Sequence, residues 1–314
     1  MSWRPLIARI GGVIFAFGVL VLLFVAYQLW GTGISTRFHQ EALRKQFNHE
    51  LAIARKNRET TTSTTVPSST PTTQPTRGAA PLTPGVAPAD GQPIATIDIP
   101  SIGVNYVVVQ GTETADLELG PGHYDNTPLP GQPGNAAIAG HRTTYLHPFY
   151  NLNELVPGDP IYVTTTQGRF QYDVTAVLVV DPSDLAVLDP TPVATLTLTT
   201  CNPRYSAAQR LVAQATLVSP PAPIPPVTKP KVARAKTGRS DTIAAGLGGA
   251  SGSVWPTVGW GAASAAFAVG VWTVARRRSR RLTRFAVEGV GALPLLVLLF
   301  FFFQSVTPLL PASF

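Results

Sequence analysis

Residues 195–201 have the sequence Thr-Leu-Thr-Leu-Thr-Thr-Cys, in which leucines alternate with small polar residues. Side chains of a β-strand point to alternate faces with a period of two, so this alternation predicts a strand. The two leucines take the core face of that strand. Cys201 shares the opposite face with Thr195, Thr197 and Thr199, which turns the thiol away from the apolar stripe.

The next predicted strand, Arg210 to Val218, has the same two-faced pattern. Arg210 begins its more polar face, and leucine and alanine residues occupy the other face. If the two strands pair across the segment Asn202 to Gln209, Cys201 and Arg210 stand near each other on one face. The sequence therefore predicts a guanidinium beside a thiol.

Working outward, the region from about Ile94 to Val218 consists of short strand-like segments separated by Gly, Pro and Asn turns, with little helical periodicity. Gln167 and Gly168 are predicted to form one hairpin turn. This pattern predicts an all-β barrel or sandwich. The remaining predicted strands are Ala95 to Ile99, Tyr106 to Gln110, Ala136 to Ala139, Ile161 to Thr165 and Arg169 to Val180.

Cys201 is the single cysteine of the chain, so no intrachain disulfide can form. No Cys/His cluster has zinc-site spacing, and no cofactor or metal is expected. A free thiol has a pKa near 8.5, and nearby positive charge raises the fraction of nucleophilic thiolate.

His141 follows the strand predicted to end at Ala139, and imidazole is suited to proton transfer. The rigid donors of Arg210 suit the oxyanion of an acyl transfer.

Each of these residues also has a simpler explanation: a buried cysteine, a structural histidine and a solvated arginine. Only their combination favours catalysis. Arg204 and His147 are looser alternatives to Arg210 and His141. Arg204 lies in a predicted proline turn and His147 precedes Pro148, so both are interpreted as structural.

The formal net charge of +7 does not indicate nucleic-acid binding, because many basic residues adjoin apolar segments or lie in linkers. Three stretches are long enough to span a membrane: Ile10 to Trp30, about Val254 to Ala275, and Val287 to Leu310. The arginine-rich loop between the last two is predicted to be cytoplasmic. This places the region between the first two spans outside the cell.

Two motifs resemble those of the sortases, in particular class E housekeeping sortases of high-GC Gram-positive bacteria. The first is the TLxTC strand at residues 197–201, followed by Asn-Pro-Arg-Tyr-Ser at 202–206 and then Arg210. The second is Pro-Gly-Asn at 133–135 followed by Ala-Gly-His-Arg-Thr-Thr at 139–144. The resemblance covers about residues 94–218.

The resemblance implies an eight-stranded sortase barrel, with transmembrane helices on both sides of it in the sequence. Cys201 would be the nucleophile, His141 the general acid/base and Arg210 the oxyanion and substrate-orienting residue. Substrate-binding roles would fall to Thr200 and to Tyr124, although the Tyr124 ring could equally pack the barrel.

The implied reaction cleaves a C-terminal LAXTG- or LPXTG-like sorting signal between Thr and Gly. The acyl group is then transferred to a peptidoglycan precursor amine, which anchors a secreted protein to the wall. The enzyme would be a multi-pass cell-membrane protein with an extracytoplasmic catalytic domain. The alternatives are a pilin-polymerising sortase, an L,D-transpeptidase and a catalytically silent wall-binding scaffold. This chain has no Asp-Pro-aromatic lid in residues 60–100, which a pilin-polymerising sortase often carries. It also has no Ser-x-Gly-Cys-x-Arg motif around Cys201, which is usual in an L,D-transpeptidase.

The expected organisation is as follows: a cytoplasmic start and first transmembrane helix (1–35), a juxtamembrane helix and Thr/Pro-rich linker (36–93), the sortase domain (94–218), a Pro-rich basic linker (219–253), a second transmembrane helix (254–275), an Arg-rich cytoplasmic loop (276–286) and a third transmembrane helix (287–314).

Overall fold

The computed structural model describes residues 4–62, 88–222, 254–277 and 281–307. These residues form two compact units. One unit contains residues 35–62 and 88–222, and the other contains residues 4–34, 254–277 and 281–307. Most of the Thr/Pro-rich linker predicted before the barrel (residues 63–87) and of the linker predicted at 219–253 (residues 223–253) lies outside the described residues.

Eight strands form a closed barrel in the order β1-β2-β3-β4-β7-β8-β6-β5. Two neighbouring pairs, β2 with β3 and β4 with β7, are parallel. The predicted all-β class and eight-stranded barrel are confirmed. The strands are β1 (Pro93–Ile99), β2 (Val104–Gln110), β3 (Gly122–His123), β4 (Asn135–Ala139), β5 (Pro160–Thr165), β6 (Gly168–Val180), β7 (Thr195–Asn202) and β8 (Gln209–Leu217).

The described helices of four or more residues are α1 (Arg4–Ala26), α2 (Thr32–Thr62), α3 (Thr114–Leu117), α4 (Trp255–Arg276) and α5 (Arg281–Val306), besides a π-helical turn at Tyr27–Gly31 and a short 3-10 turn at Leu185–Leu188.

The barrel interior is filled by the alternate apolar residues that the sequence pattern predicted. Leu196 and Leu198 of β7 lie in the main core together with Leu211 and Ala213 of β8. The opposite face of both strands lies on the outside of the barrel. Cys201 is on that outer face, as the alternation predicted.

One predicted turn is displaced by one residue. Thr165 pairs with Gly168, so the hairpin turns at Thr166 and Gln167 rather than at Gln167 and Gly168. The glycine is part of β6 because its backbone continues the ladder with β5.

Helix α2 packs against the barrel instead of standing free as a stalk. Phe47 on this helix is fully buried, and Leu43 forms a small cluster with Val107 and Val109 of β2. The Gln40 side chain bonds to Val107 through both of its amide atoms, at 2.8 and 3.0 Å. The helix thereby covers the outer face of β2.

The second unit is made of α1, α4 and α5, with aromatic contacts between helices. Phe24 and Phe303 pack edge to face with ring centroids 5.2 Å apart, and Trp260 stacks on Phe301 at 4.9 Å. Two described helices, Trp255–Arg276 and Gly289–Val306, are long and apolar enough to cross a membrane. Within α1, the described residues also contain an apolar helix at Ile14–Ala26.

Candidate active site

The strand register brings the three predicted catalytic residues to one end of the barrel. Cys201 of β7 pairs directly with Arg210 of β8. On its other side, β7 runs parallel to β4, with Thr199 opposite Ala139. His141 and Cys201 each come two residues after this pair, so both lie at the carboxyl ends of neighbouring parallel strands.

The backbone before His141 is tied to β7 on both sides of Gly140. The Gly140 N–H donates to the Thr199 carbonyl at 3.0 Å, and the Thr200 hydroxyl donates to the Gly140 carbonyl at 2.7 Å. A Cβ on Gly140 would press against the buried ring of Phe149. The sequence Ala-Gly-His is therefore required for the chain to pass this ring and place His141.

Cys201 lies in a buried cluster on the outer face of the barrel. Its apolar neighbours in this cluster are Leu117, Tyr124, Ala137, Ala139, Val187 and Val212. Burial raises the pKa of the Cys201 thiol, and the charges of Arg210 and Arg142 oppose that rise without reversing it. The sequence predicted that nearby positive charge favours the thiolate, and the structure shows that desolvation outweighs this effect.

His141 is also buried, and its two ring nitrogens are in different surroundings. Nδ1 lies 3.3 Å from the Thr144 hydroxyl, whereas Nε2 has no hydrogen-bond partner in the described part of the chain. Burial lowers the pKa of His141 to about 4. At neutral pH the imidazole is therefore uncharged and able to accept a proton.

Arg210 is buried and its side chain turns back on the β7–β8 loop. Its Nη1 donates to the carbonyls of Ala207 and Gln209 at 3.0 and 3.1 Å. These bonds fix the guanidinium on the outer face, beside the Cys201 backbone.

Arg142 is a second guanidinium at this site that sequence reasoning did not single out. Its Nη1 donates to the Cys201 carbonyl at 3.1 Å and to Asn202 Oδ1 at 2.6 Å, and its Nη2 donates to Asn153 at 2.9 Å. The sequence feature that could have identified Arg142 is its position directly after His141, at the end of a predicted strand. Its bonds hold the end of β7 in place.

The two predicted substrate-binding residues lie in different places. Tyr124 packs in the same cluster as Cys201, and its hydroxyl lies 2.8 Å from that of Thr199. Thr200 is fully buried on the inner face, bonded to Gly140. This geometry suits Thr200 to positioning the β4 end, and a substrate contact for either residue stays a prediction.

The two looser candidates, Arg204 and His147, both contact Tyr150. Arg204 stacks on the Tyr150 ring, 4.0 Å from its centroid, and forms a 3.8 Å ion pair with Glu154. The His147 ring contacts the same Tyr150 ring at 5.5 Å. Both residues have structural contacts of their own.

Comparisons with known proteins find similar sequences. A family model described as the sortase domain matches residues 97–218. Sortase SrtE1 of Streptomyces coelicolor is 32% identical over 225 residues, which cover 67% of this chain and 56% of that protein. Sortase D of Bacillus subtilis is 33% identical over 117 residues, covering 37% and 58%. The chain thus spans little more than half the length of these curated relatives.

Solved structures of sortases are also similar. The structure of sortase E1 from Streptomyces coelicolor with a tripeptide in the active site is 34% identical, covers 42% of this chain and 91% of that chain, and has a TM-score of 0.40. The Clostridium perfringens sortase D5 transpeptidase is 29% identical, with coverages of 58% and 99% and a TM-score of 0.45. Residues 97–218 of this chain therefore match the sortase domain family.

Proposed function

We propose that this chain is a cysteine transpeptidase with Cys201 as nucleophile, His141 as general acid/base and Arg210 as oxyanion-stabilising residue. One observation carries the proposal: Cys201 pairs with Arg210 in the β7–β8 register, while His141 follows the end of β4 on the other side of β7. Nucleophile, proton carrier and fixed cation therefore occupy one end of three adjacent strands.

The reaction follows from these roles. The neutral His141 imidazole accepts the proton of the Cys201 thiol, and the sulfur attacks a peptide carbonyl while the Arg210 donors stabilise the oxyanion. His141 gives this proton to the leaving nitrogen as the peptide C–N bond breaks, so an amine leaves and a thioester to Cys201 remains. A second amine then attacks the thioester carbonyl and passes its proton to His141, the C–S bond breaks, and the released sulfur regains the proton while the new amide leaves the site. Burial raises the pKa of the Cys201 thiol and lowers the pKa of the His141 imidazole. Before substrate binds, both side chains are therefore uncharged.

The proposed substrate is a C-terminal LAXTG- or LPXTG-like sorting signal, cleaved between Thr and Gly, and the acceptor is a peptidoglycan precursor amine. The similarity to sortase SrtE1 supports a class E, housekeeping assignment. Tyr124 lies in the Cys201 cluster and is the better placed of the two predicted substrate-binding residues.

The proposed location is the cell membrane, with the domain organisation given above. Two helices of suitable length and composition support it. In this arrangement the barrel is extracytoplasmic and the arginine-rich loop before α5 is cytoplasmic.

The test is to incubate the full-length chain in detergent with LAXTG and LPXTG peptides and an amine, then to analyse products by mass spectrometry. Cleavage after Thr with an acyl adduct on Cys201 is expected. Cys201→Ala and Arg210→Ala should each abolish turnover with the barrel still folded by circular dichroism. Loss of folding in both variants would remove the support for these roles.

A catalytically silent scaffold is the second candidate, and the burial of the thiol is the observation that favours it. Cys201 is only 7% exposed, as a structural cysteine would be. A thiol-reactive probe distinguishes the two, because Cys201 is the single cysteine. Labelling of the native protein supports the enzyme, whereas labelling only after denaturation, without peptide cleavage, supports the scaffold.

A further inference from the structure

The loop after His141 has an unusual backbone. Tyr145, Leu146 and His147 have φ values of 50°, 64° and 40°, so three consecutive non-glycine residues are in the left-handed region. Such a conformation is unfavourable for residues that carry a Cβ and persists only where surrounding contacts hold it. Two bonds do so here: Tyr106 donates to the Leu146 carbonyl at 3.0 Å, and the His147 N–H donates to the Thr144 carbonyl at 2.8 Å.

This backbone directs the Tyr145 side chain at two partners. Its ring lies against the His141 ring, with centroids 4.9 Å apart and planes tilted by 39°. Its hydroxyl donates to Glu118 Oε1 at 3.0 Å. Tyr145 therefore links the imidazole of the candidate site to a carboxylate on a different segment of the chain.

Glu118 in turn follows α3, in a segment that helix α2 holds. The Thr36 hydroxyl donates to the Glu118 carbonyl at 2.9 Å, and Gln40 Nε2 donates to the Leu119 carbonyl at 2.8 Å. Both helix residues are buried. A Cβ on Gly120 would clash with the Gln40 amide, so the helix fits because this position is a glycine.

The same segment also reaches the nucleophile. Leu117, directly before Glu118, packs in the cluster that contains Cys201 and Tyr124. One short stretch thus contacts the thiol cluster on one side and the support of His141 on the other. A structural stalk would not require this connection.

We propose that Glu118 and Tyr145 are positioning residues for His141, and that helix α2 is part of the catalytic unit because it holds Glu118 in place. The proposal rests on the function proposed above. It assigns a role to the helix before the barrel and to two residues that touch no reacting atom.

The kinetic test uses the full-length chain in detergent with the sorting peptide that the wild type cleaves. Tyr145→Phe removes only the hydroxyl, and Glu118→Ala removes its acceptor. Each should lower kcat about 10-fold with little change in KM, because a small misplacement of a catalytic group is costly. Glu118→Gln retains an acceptor oxygen and should keep most of the activity. Combining Tyr145→Phe with Glu118→Ala should be no worse than either alone, because both break the same contact.

Two control variants separate this role from general damage. Tyr162→Phe removes a tyrosine hydroxyl on β5, where Tyr162 stacks with Arg169, and should leave kcat unchanged. Thr36→Val removes the donor from α2 to Glu118 and should lower kcat in the same direction as Glu118→Ala. Glu41→Ala, on the exposed face of the same helix, should not. Wild-type kcat in both Tyr145→Phe and Glu118→Ala would overturn the proposal.

A second readout needs no peptide and so separates this proposal from the proposed function. The chain is labelled with 13C-histidine, and the His141 signal is assigned with His141→Gln and titrated by NMR. In the wild type, the pKa of His141 should lie well below the ordinary value, since the ring is buried. In Tyr145→Phe and Glu118→Ala the loosened loop admits water, so the midpoint should rise towards about 6.5. An unchanged midpoint in both variants would overturn the positioning role, even if every peptide proves inert.

Discussion

The Cys201 thiol experiences two opposing influences, and their balance is open to measurement. Burial raises its pKa, while the guanidinium groups of Arg210 and Arg142 lower it. Arg210→Gln removes one of these charges, so the thiol pKa should rise further and iodoacetamide should alkylate Cys201 more slowly at neutral pH. The pH dependence of the alkylation rate checks this directly, because the chain has one cysteine.

The control for that experiment is Arg204→Gln, which removes a charge that is not among the influences on the thiol. It should leave the pH dependence of Cys201 alkylation unchanged. Arg210→Lys keeps the positive charge and should show a smaller shift than Arg210→Gln. Identical profiles for Arg210→Gln and wild type would contradict the electrostatic part of the account.

Asp116 gives the barrel unit a predictable dependence on pH. Its carboxyl is buried at the start of α3, and desolvation raises its pKa to about 6. A folded-state pKa above the unfolded value means that the protonated form is preferred on folding. The associated stability is present below about pH 4 and is lost as the pH rises through about 6.

Asp116→Asn keeps the acceptor for the Glu113 N–H but carries no charge. It should therefore raise the free energy of unfolding at pH 7, by at most about 3 kcal/mol for a shift of roughly two pKa units. The difference from wild type should disappear below about pH 4. Denaturant unfolding at several pH values measures this, with the exposed Asp181→Asn as control. A variant less stable than wild type at pH 7 would contradict it.

At the scale of single residues, the sequence predicted which side chains share a face of the sheet but not how deeply they are buried. The alternation around Cys201 and Arg210 was sufficient to place both side chains on one face, since a strand has a strict period of two. The buried cluster that contains Cys201 also includes Leu117 and Val187, which come from segments distant in sequence. No local pattern contains that information.

At the scale of elements, the Gln40 side chain on α2 replaces a missing strand neighbour of β2. It accepts from the Val107 N–H and donates to the carbonyls of Val107 and Leu119. Gln40→Ala leaves these buried backbone groups without a partner, so the free energy of unfolding of the barrel should fall by roughly 2–3 kcal/mol. Denaturant unfolding of the full chain in detergent checks this.

Gln46→Ala is the matched control, because it removes the same side chain from an exposed position of the same helix. Its bonds to Gln92 and Glu50 are at the surface, so the change should stay within about 0.5 kcal/mol. If Gln40→Ala lowers the free energy of unfolding no more than Gln46→Ala does, the prediction is contradicted and the Gln40 bonds do not stabilise the barrel.

All seven predicted strands are present, with ends displaced by no more than two residues. The periodic pattern is strong in each because one face fills the barrel core. The eighth strand, Gly122–His123, was not predicted, since two residues are too short to show a period. Helix α2 was predicted as an element, but its docking was not. That contact depends on buried Phe47, Leu43 and Gln40 of α2 and on the glycine at position 120, whose barrel partners lie far away in the sequence.

For the whole molecule, composition predicts polar and apolar regions of the chain but not their arrangement. Helices are present in all three regions predicted to span a membrane. Two of them contain a stretch that meets the length and composition of a span, and α1 contains the apolar helix Ile14–Ala26. The orientation of these helices depends on charges in loops, which act through the membrane and not through contacts in the protein.

The proposed topology can be tested because the chain has a single cysteine. In a Cys201→Ala background, Ser183→Cys places a new thiol at an exposed site of the barrel unit. Ser279→Cys places one in the arginine-rich loop between α4 and α5. By the positive-inside tendency, a membrane-impermeant maleimide applied to intact cells should label only the first. Both should label after permeabilisation, which confirms that each thiol is reactive. Labelling of Ser279→Cys in intact cells would place the arginine-rich loop outside and reverse the proposed orientation.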